Sequence, residues 1–205
     1  RDQLVGEGFA PVQLFGHDAA IMRARQWWMR TVRAGHAFAE VSRLHRHSPH
    51  GIWKSADAGK TWEHVWKEKG QIGTVAVHPQ NPDIAFAAVL GSPFAPSDAR
   101  GVYRTSDGGK TWQRMLHKDA VTGASDVAFD PNNPRVLYAG MWQFKRTPWQ
   151  TTSGGPGSGL YRSEDGGTTW KALTGNGLPG GEWGKVGVAV ADLMTEGSQL
   201  ALASR

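Results

Sequence analysis

Three aspartates recur in one sequence frame and are the first residues that could carry chemistry. The stretch SADAGKTW places Asp57 between Ser55 and Gly59, and the pattern returns as TSDGGKTW around Asp107 and as SEDGGTTW around Asp165. Carboxylates serve as catalytic acids or bases and as ligands of hard cations. Calcium loops such as D-x-D-x-D-G gather several oxygen ligands in one segment, whereas each stretch here offers one aspartate. The motif therefore favours neither a calcium site nor, by itself, a catalytic pair.

A second set of carboxylates lies outside this motif. Asp126 stands in TGASDVAFDP near the start of a predicted strand, Asp130 directly precedes a proline, and Asp98 lies in the loop sequence SPFAPSDAR. The proline after Asp130 and the loop around Asp98 favour turn or solvated roles for these two. Asp126 is therefore the candidate catalytic residue, and its alternative is a hydrogen-bonded aspartate at the start of a strand.

The segment MWQFKRTPWQTTSGGPGSG, residues 141–159, combines aromatic rings with positive charge. It is predicted to be a long loop between two strands, and such loops on a rigid scaffold often carry binding residues. Aromatic faces stack on sugars, and cations hold the carboxylates of an acidic peptide. The alternative is that Trp142 and Phe144 pack against a neighbouring sheet. The candidate ligand-binding residues are Trp142, Phe144, Lys145, Arg146 and Trp149.

Composition removes several classes of function. The chain has no cysteine, which excludes disulfides, thiolate chemistry and cysteine-ligated zinc. His45 and His47 resemble a ligand pair, but no nearby carboxylate or cysteine completes a tetrahedral set. We therefore predict no metal and no cofactor.

Charge and hydropathy argue against nucleic-acid binding and against a membrane-spanning helix. The net charge is +5, yet residues 51–205 carry 16 Lys/Arg against 14 Asp/Glu, so the charge does not imply nucleic acid. No apolar run approaches the roughly 20 residues of a membrane helix. We predict no nucleic-acid partner and no membrane span.

The elements that must position these residues come from a repeat of fifty-odd residues. The motif aspartates are 50 and 58 residues apart, and each motif follows a short strand pattern, GIWKS, GVYRT or GLYRS. With the matched pair VAVHPQNPDIAFAAV and VAFDPNNPRVLYAGM, the repeat spans about four strands, the size of one blade of a β-propeller. The predicted strands lie near 72–78, 83–90, 101–106 and 111–116, and near 122–130, 135–142, 159–164 and 169–173.

The repeat places each motif aspartate in a tight turn between the third and fourth strands. Glycine supplies a positive φ, the carboxylate accepts turn N–H groups, threonine restarts the strand and tryptophan covers neighbouring sheet. Such hairpins are expected on the outer rim, away from the axial cavity where propellers bind ligands. The predicted structural residues are Ser55, Asp57, Gly59, Thr61, Trp62, Asp107, Gly109, Thr111, Trp112, Ser163, Asp165, Gly167, Thr169 and Trp170.

The pattern S-x-D-x-G-x-T-W resembles the Asp box of BNR-repeat β-propellers. Together with VAFDPNNPRVLYAG and GGPGSGLYRSEDGGTTW, it makes residues 51–191 similar to bacterial sortilin-like, glycosyl-hydrolase-type BNR propeller proteins. The resemblance implies an all-β fold, a partial β-propeller of four-stranded antiparallel blades. It leaves activity open, because Asp boxes occur in sialidases, xyloglucanases, sortilin-type receptors and non-enzymatic assembly factors alike.

The first 50 residues of the chain depart from the repeat. Residues 1–50 contain seven arginines, five histidines, no lysine and no Asp box, and the segment from Asp18 to His47 is consistent with an amphipathic helix. This Arg/His-rich segment is interpreted as a cap, a helix or sequence foreign to the family. Residues 51–205 are predicted to be an incomplete β-propeller with a half blade, two full blades and the start of another. A closed propeller needs at least about four blades, so we expect a larger parent protein to supply the rest.

Two functions stay open at this point. The first is a non-catalytic scaffold, extracytoplasmic or secreted in the parent, that binds a peptide, protein or glycan as sortilin-like propellers do. The second is part of a sialidase- or xyloglucanase-like glycoside hydrolase, which needs two carboxyl groups about 5 to 10 Å apart. Because Asp126 is a single candidate, its partner would have to come from other blades, and the chain alone is expected to be inactive.

Overall fold

Antiparallel sheets follow one another along the chain in the computed structural model. It describes residues 51–190 except 58 and 69, together with the backbone of 28–32, 36–41, 191 and 199–204. No helix in these parts of the chain is long and apolar enough to cross a bilayer. The strands are β1 Trp28–Val32, β2 His36–Val41, β3 Gly51–Ser55, β4 Glu63–Trp66, β5 Gln71–Val77, β6 Ala85–Gly91, β7 Gly101–Thr105, β8 Gln113–Leu116, β9 Thr122–Phe129, β10 Leu137–Arg146, β11 Thr151–Ser153, β12 Gly159–Ser163, β13 Lys171–Leu173, β14 Val186–Ala191 and β15 Gln199–Ser204.

Each sheet is a meander, in which strands that are consecutive in the chain are neighbours in the sheet. Blade 1 has the order β1-β2-β3-β4, blade 2 the order β5-β6-β7-β8, and blade 3 is built from β9, β10, β12 and β13, with β11 added beside β10. The β14-β15 hairpin begins blade 4. Strand β9 contacts both β5 and β14, as expected for first strands that line a propeller axis. The predicted all-β, partial β-propeller architecture is confirmed.

Blade 1 draws two strands from the atypical N-terminal segment. Strand β2 pairs with β3 from Ala37 opposite Ser55 to Val41 opposite Gly51, and β1 pairs with β2. The helix considered over 18–47 is therefore not formed at residues 28–32 and 36–41, and four strands stand where a half blade was expected. The physical reason is that β3 offers an unpaired strand edge, and backbone pairing along that edge outweighs helical periodicity. The rest of that segment, including the His45 and His47 pair, lies outside the described residues.

The turns between first and second strands close in the same way in blades 2 and 3. The His78 N–H donates to the Ile84 carbonyl at 2.9 Å, and the Asp130 N–H donates to the Val136 carbonyl at 2.9 Å. A proline follows His78 and Asp130 and fixes φ at that position. Because proline has no N–H group, the turn leaves no backbone donor unpaired there. Strands β5, β6 and β9 therefore begin and end close to their predicted bounds, whereas β10, predicted near 135–142, extends to Arg146.

Apolar layers between the blades form the core. Phe86 is 1% exposed between blades 2 and 3 and meets Phe129 edge-on, with ring centroids 5.6 Å apart. Between blades 1 and 2, Trp66 packs edge-on against Tyr103 and Trp112, at 4.7 and 5.5 Å. The buried members of the first layer are Ala76, Phe86, Ala88, Val102, Ala124, Val127, Leu137, Ala139 and Met141. Those of the second are Ile52, Trp66, Ile72, Val75, Ala85, Ala87 and Val89.

The first strands of adjacent blades approach so closely that side-chain volume is limited. A methyl group added at Gly73 in β5 would overlap the carbonyl oxygen of Ser125 in β9. Ser125 occupies the equivalent repeat position in blade 3 and is itself buried. Its hydroxyl oxygen lies 2.6 Å from the Val186 carbonyl and 3.1 Å from the Gly140 carbonyl, and it donates its one proton between these two acceptors. The same site is thus a glycine at one blade junction and a hydrogen-bonding serine at the next.

Candidate functional site

Each Asp box folds into the same closed turn between the third and fourth strands of its blade. In blade 1, the Asp57 carboxylate accepts the Thr61 N–H at 2.8 Å and the Thr61 hydroxyl at 2.6 Å. The Ser55 hydroxyl donates to Asp57 at 2.9 Å and accepts the Gly59 N–H at 2.7 Å. Gly59 has a φ of 87°, a left-handed conformation that favours glycine.

The other two boxes repeat these contacts. Thr111 donates its N–H and hydroxyl to Asp107 at 2.9 and 2.6 Å, and Thr169 donates the same groups to Asp165 at 2.9 and 2.6 Å. Gly109 and Gly167 have φ values of 96° and 82°. All three carboxylates are therefore engaged by donors of their own turns, and their structural role stays a prediction that the pH dependence below tests.

The tryptophans that end the boxes differ in what they bind. The indole N–H of Trp62 donates to the Gly59 carbonyl at 3.1 Å, and that of Trp170 donates to the Gly167 carbonyl at 3.0 Å. The indole N–H of Trp112 instead crosses to blade 1 and donates to the Val65 carbonyl at 3.0 Å.

The box aspartates predict an acid-dependent loss of stability. Hydrogen bonds from the Thr61 hydroxyl and N–H lower the pKa of Asp57 to about 2, and the equivalent threonines lower the pKa values of Asp107 and Asp165 below their usual range. An unfolded aspartate has a pKa of about 3.9. Between pH ~4 and ~2 the unfolded chain therefore binds more protons, so stability is full above this window and falls as pH decreases through it.

Urea unfolding at a series of pH values measures this effect. Between pH ~5 and ~2 the free energy of unfolding should fall less steeply with decreasing pH in Asp57→Asn than in the natural chain. The difference in slope should correspond to about one proton fewer taken up on unfolding. Asp98→Asn, the same change in the exposed β6-β7 loop, is the matched control and is measured at the same pH values. An unchanged slope in Asp57→Asn would contradict the assigned role.

Asp126 lies on β9, at the junction between blades 3 and 4. One carboxylate oxygen accepts the Val127 N–H at 2.9 Å, and the other accepts the Val188 N–H of β14 at 3.0 Å. Asp130 is four residues further along the chain, about 13 Å at the rise of a strand, and accepts the N–H groups of Asn132 and Asn133. These two carboxylates are too far apart to flank one glycosidic bond.

Asp98 is the third candidate carboxylate, and it lies apart from Asp126 and Asp130 in the chain. Asp98 is exposed in the β6-β7 loop, where its carbonyl accepts a hydrogen bond from Arg114. The parts of the chain that the structure describes contain no group of three or more His, Asp or Glu side chains that could hold a metal ion.

The five predicted ligand-binding residues come together on one hairpin, which we call the basic hairpin, residues 141–153. Strand β10 extends to Arg146, and β11 returns beside it after a turn closed by hydrogen bonds between Thr147 and Gln150. Trp149 lies in this turn and is 84% exposed, and the Lys145 and Arg146 side chains are exposed as well. The insertion is thus an ordered hairpin and not an irregular loop.

Trp142 and Phe144 form the half-buried side of the basic hairpin. Their ring centroids are 4.2 Å apart at an interplanar angle of 34°. The indole N–H of Trp142 donates to the Ser153 hydroxyl at 3.2 Å, and the Lys185 ammonium lies 5.8 Å from the centroid of the Trp142 ring. These contacts orient both rings within the hairpin.

Contacts with the β6-β7 loop and the β8-β9 connection hold the hairpin in place. The N–H groups of Arg146 and Phe144 donate to the carbonyls of Pro93 at 2.7 Å and Val121 at 3.3 Å. The guanidinium of Arg100, which is 1% exposed, donates to the Phe144 carbonyl at 3.4 Å. Burial lowers the pKa of Arg100, and the negative charge of Asp119 partly offsets that effect.

Two residues of this surface were not predicted from the sequence. Phe94 is 57% exposed and follows Pro93, whose carbonyl binds the hairpin, so a second exposed aromatic ring stands in the adjacent loop. The second residue is Arg100, whose buried guanidinium donates to the Phe144 carbonyl of the hairpin. The available signal was a single phenylalanine among the proline, serine and alanine residues of SPFAPSDAR, a composition that gives it no apolar neighbours to pack with.

Comparison with known proteins gives one family and several structures. The family model described as Sortilin, neurotensin receptor 3 (Sortilin-Vps10) matches residues 50–193. A search of curated protein sequences found no significant match.

Three of the similar solved structures are GH74 enzymes. An ancestral GH74 enzyme is 19% identical with a TM-score of 0.51, and the match covers 68% of this chain and 16% of that enzyme. The Niastella koreensis GH74 enzyme is 21% identical, with a TM-score of 0.50 and coverages of 70% and 20%. The GH74 xyloglucanase from Xanthomonas campestris is 14% identical, with a TM-score of 0.50 and coverages of 82% and 26%. At these identities the likeness concerns the fold alone, and the matched region is only 16% to 26% of each enzyme's length.

Proposed function

Because the chain belongs to the Sortilin-Vps10 family, we propose that it is part of a non-catalytic β-propeller scaffold whose basic hairpin binds a peptide, protein or glycan. The observation that carries the proposal is Trp149, 84% exposed at the tip of a hairpin that also exposes Lys145 and Arg146. A single exposed aromatic side chain is common on protein surfaces. Here the hairpin is fixed by hydrogen bonds to Pro93, Val121 and Arg100, so the ring and the charges are presented by an ordered support.

Binding arrays of glycans and peptides, read with the natural chain and with Trp149→Ala and Arg146→Ala, test this proposal. Each substitution should weaken binding of a retained probe about tenfold or more, because the variant lacks either the aromatic ring that the ligand would cover or a charge-assisted hydrogen bond. Arg135→Ala, an exposed arginine in the β9-β10 turn, is the control and should bind like the natural chain. Equal binding by all the variants would contradict the proposal.

The rival proposal is that the chain forms part of a glycoside hydrolase. Its support is Asp126 on a first strand near the axis and the glycoside hydrolase fold of the GH74 structures. The test is hydrolysis of plant, microbial and sialylated glycans by a longer protein that contains this chain. Hydrolysis that disappears in a folded Asp126→Asn variant would favour the enzyme. Because Asp126 accepts the Val188 N–H, the variant's melting temperature must be measured alongside.

The scaffold proposal includes further blades as partners. The described residues form three sheets of four or more strands and the β14-β15 hairpin, which is half of a fourth blade. A closed propeller needs at least about four complete blades. We propose that a larger parent protein, extracytoplasmic or secreted, supplies the additional blades.

A further inference from the structure

The outer edge of β11 carries backbone groups that point away from the sheet. The N–H groups of Phe144 and Arg146 point away from β11, toward Val121 and Pro93. Because bonding alternates along an antiparallel pair, Lys145 is the β10 residue that faces β11, and its partner in register is Thr152. Thr151 and Ser153 therefore direct their own N–H and C=O groups outward.

This edge is exposed along β11 and ends just beyond it, where the Gly155 N–H donates to the Trp183 carbonyl at 3.3 Å. β11 is the terminal strand of its sheet, and all three of its residues are exposed. An extended segment placed alongside would find outward groups of Thr151 and Ser153 at the two-residue spacing that a neighbouring strand requires. A glycan stacks on aromatic faces but has no matching row of alternating amide donors and acceptors. The edge therefore favours a polypeptide ligand.

Charge determines which polypeptide fits. Successive side chains of a strand point to opposite faces, so Lys145 lies on one face of the basic hairpin and Arg146 on the other. Residues 141–159 contain no aspartate or glutamate, and Lys185 adds a third cation beside the Trp142 ring. A strand added to β11 would meet positive charge on both of its faces, which is complementary to carboxylates.

We propose that the basic hairpin binds an extended, acidic segment of a partner protein, which adds as a strand to the outer edge of β11. This inference rests on the proposed function, since it names the ligand class of the same hairpin. Lys145 and Arg146 hold carboxylates of the segment, Thr151 and Ser153 pair with its backbone, and the exposed ring of Trp149 contacts an apolar side chain near its end.

The probe is a fluorescent peptide of about ten residues in which glutamate alternates with valine, titrated with the 205-residue chain and read by anisotropy. One control peptide carries lysine in place of glutamate, and another carries proline at alternate valines, which removes the N–H groups of a pairing strand. Each control should bind at least about tenfold more weakly, and raising the salt from about 50 to 300 mM should weaken the acidic peptide several-fold.

Protein variants locate the binding. Arg146→Glu should weaken the acidic peptide about tenfold, whereas Lys171→Glu, the same charge change on the edge strand β13, should leave it within about twofold. Thr151→Pro removes one outward N–H and should weaken binding about tenfold, whereas Thr151→Val keeps that N–H and should bind like the natural chain. Unchanged melting temperatures separate these effects from unfolding.

The outcomes distinguish this inference from the function on which it rests. Equal binding of the acidic and lysine peptides, or of Thr151→Pro and Thr151→Val, overturns the strand-addition inference. Binding of a neutral glycan alone, lost in Trp149→Ala, also overturns it but leaves the binding scaffold standing. If neither peptides nor glycans bind in a way that depends on the hairpin, the proposed function falls as well.

Discussion

Replacing Phe86 with alanine should lower the free energy of unfolding by about 3–5 kcal/mol, the range for a large aromatic side chain removed from a core. The ring is 1% exposed and lies between blades 2 and 3 against Phe129. It also lies directly against Gly167 of the third Asp box, where an added methyl group would overlap the ring. The substitution therefore leaves a cavity between two blades and removes support from a turn.

Urea denaturation followed by tryptophan fluorescence measures this loss. Phe94→Ala is the matched control, because Phe94 is 57% exposed, and its free energy of unfolding should change by no more than about 0.5 kcal/mol. Similar losses in the two variants would mean that the layer between blades 2 and 3 is not the core described above.

A methyl group at Gly73 is expected to have the second-largest effect, a loss of about 2–3 kcal/mol in Gly73→Ala. The added carbon would overlap the carbonyl oxygen of Ser125 in the neighbouring blade. That oxygen belongs to the backbone of a buried strand, so relief requires the two blades to move apart. The expected result is a lower urea midpoint with little change in the slope of the transition.

Gly180→Ala is the control for this substitution. No heavy atom lies within 4 Å of the position that the new methyl group would take, so stability should stay the same or rise by less than about 1 kcal/mol. If Gly73→Ala proved as stable as Gly180→Ala, the first strands of blades 2 and 3 would not approach each other as closely as the structure has them.

The four repeating strands of blades 2 and 3 were predictable because turn residues mark most of their ends. Proline and asparagine close the turns before β6 and β10, and a positive-φ glycine stands in each Asp box before β4, β8 and β13. These signals are local, since they depend on the backbone freedom of single residues. They repeat in register, so each blade supports the interpretation of the next.

Other features could not be predicted because their causes lie far away in the chain. Strands β1 and β2 form beside the free edge of β3, which composition and periodicity do not reveal. The partner of the Asp126 carboxylate is the N–H of Val188, 62 residues away. The hairpin of β10 and β11 has no Asn-Gly or Asp-Gly turn signal, and carbonyls of Pro93 and Val121 hold it from outside.

The crossing indole of Trp112 determines how freely neighbouring blades can slide. Apolar layers resist separation but tolerate lateral slip, because dispersion contacts have little directionality. Between blades 1 and 2, the indole N–H of Trp112 donates to the Val65 carbonyl at 3.0 Å, and the side chain is stiff because only two torsions rotate. Between blades 2 and 3, the longer and more flexible Arg104 side chain reaches the Gly166 carbonyl at 3.3 Å. The second junction has a further directional contact, because the Arg146 N–H of β10 donates to the Pro93 carbonyl at 2.7 Å, so sliding is resisted by backbone bonding at one end of blades 2 and 3 and by an indole between blades 1 and 2.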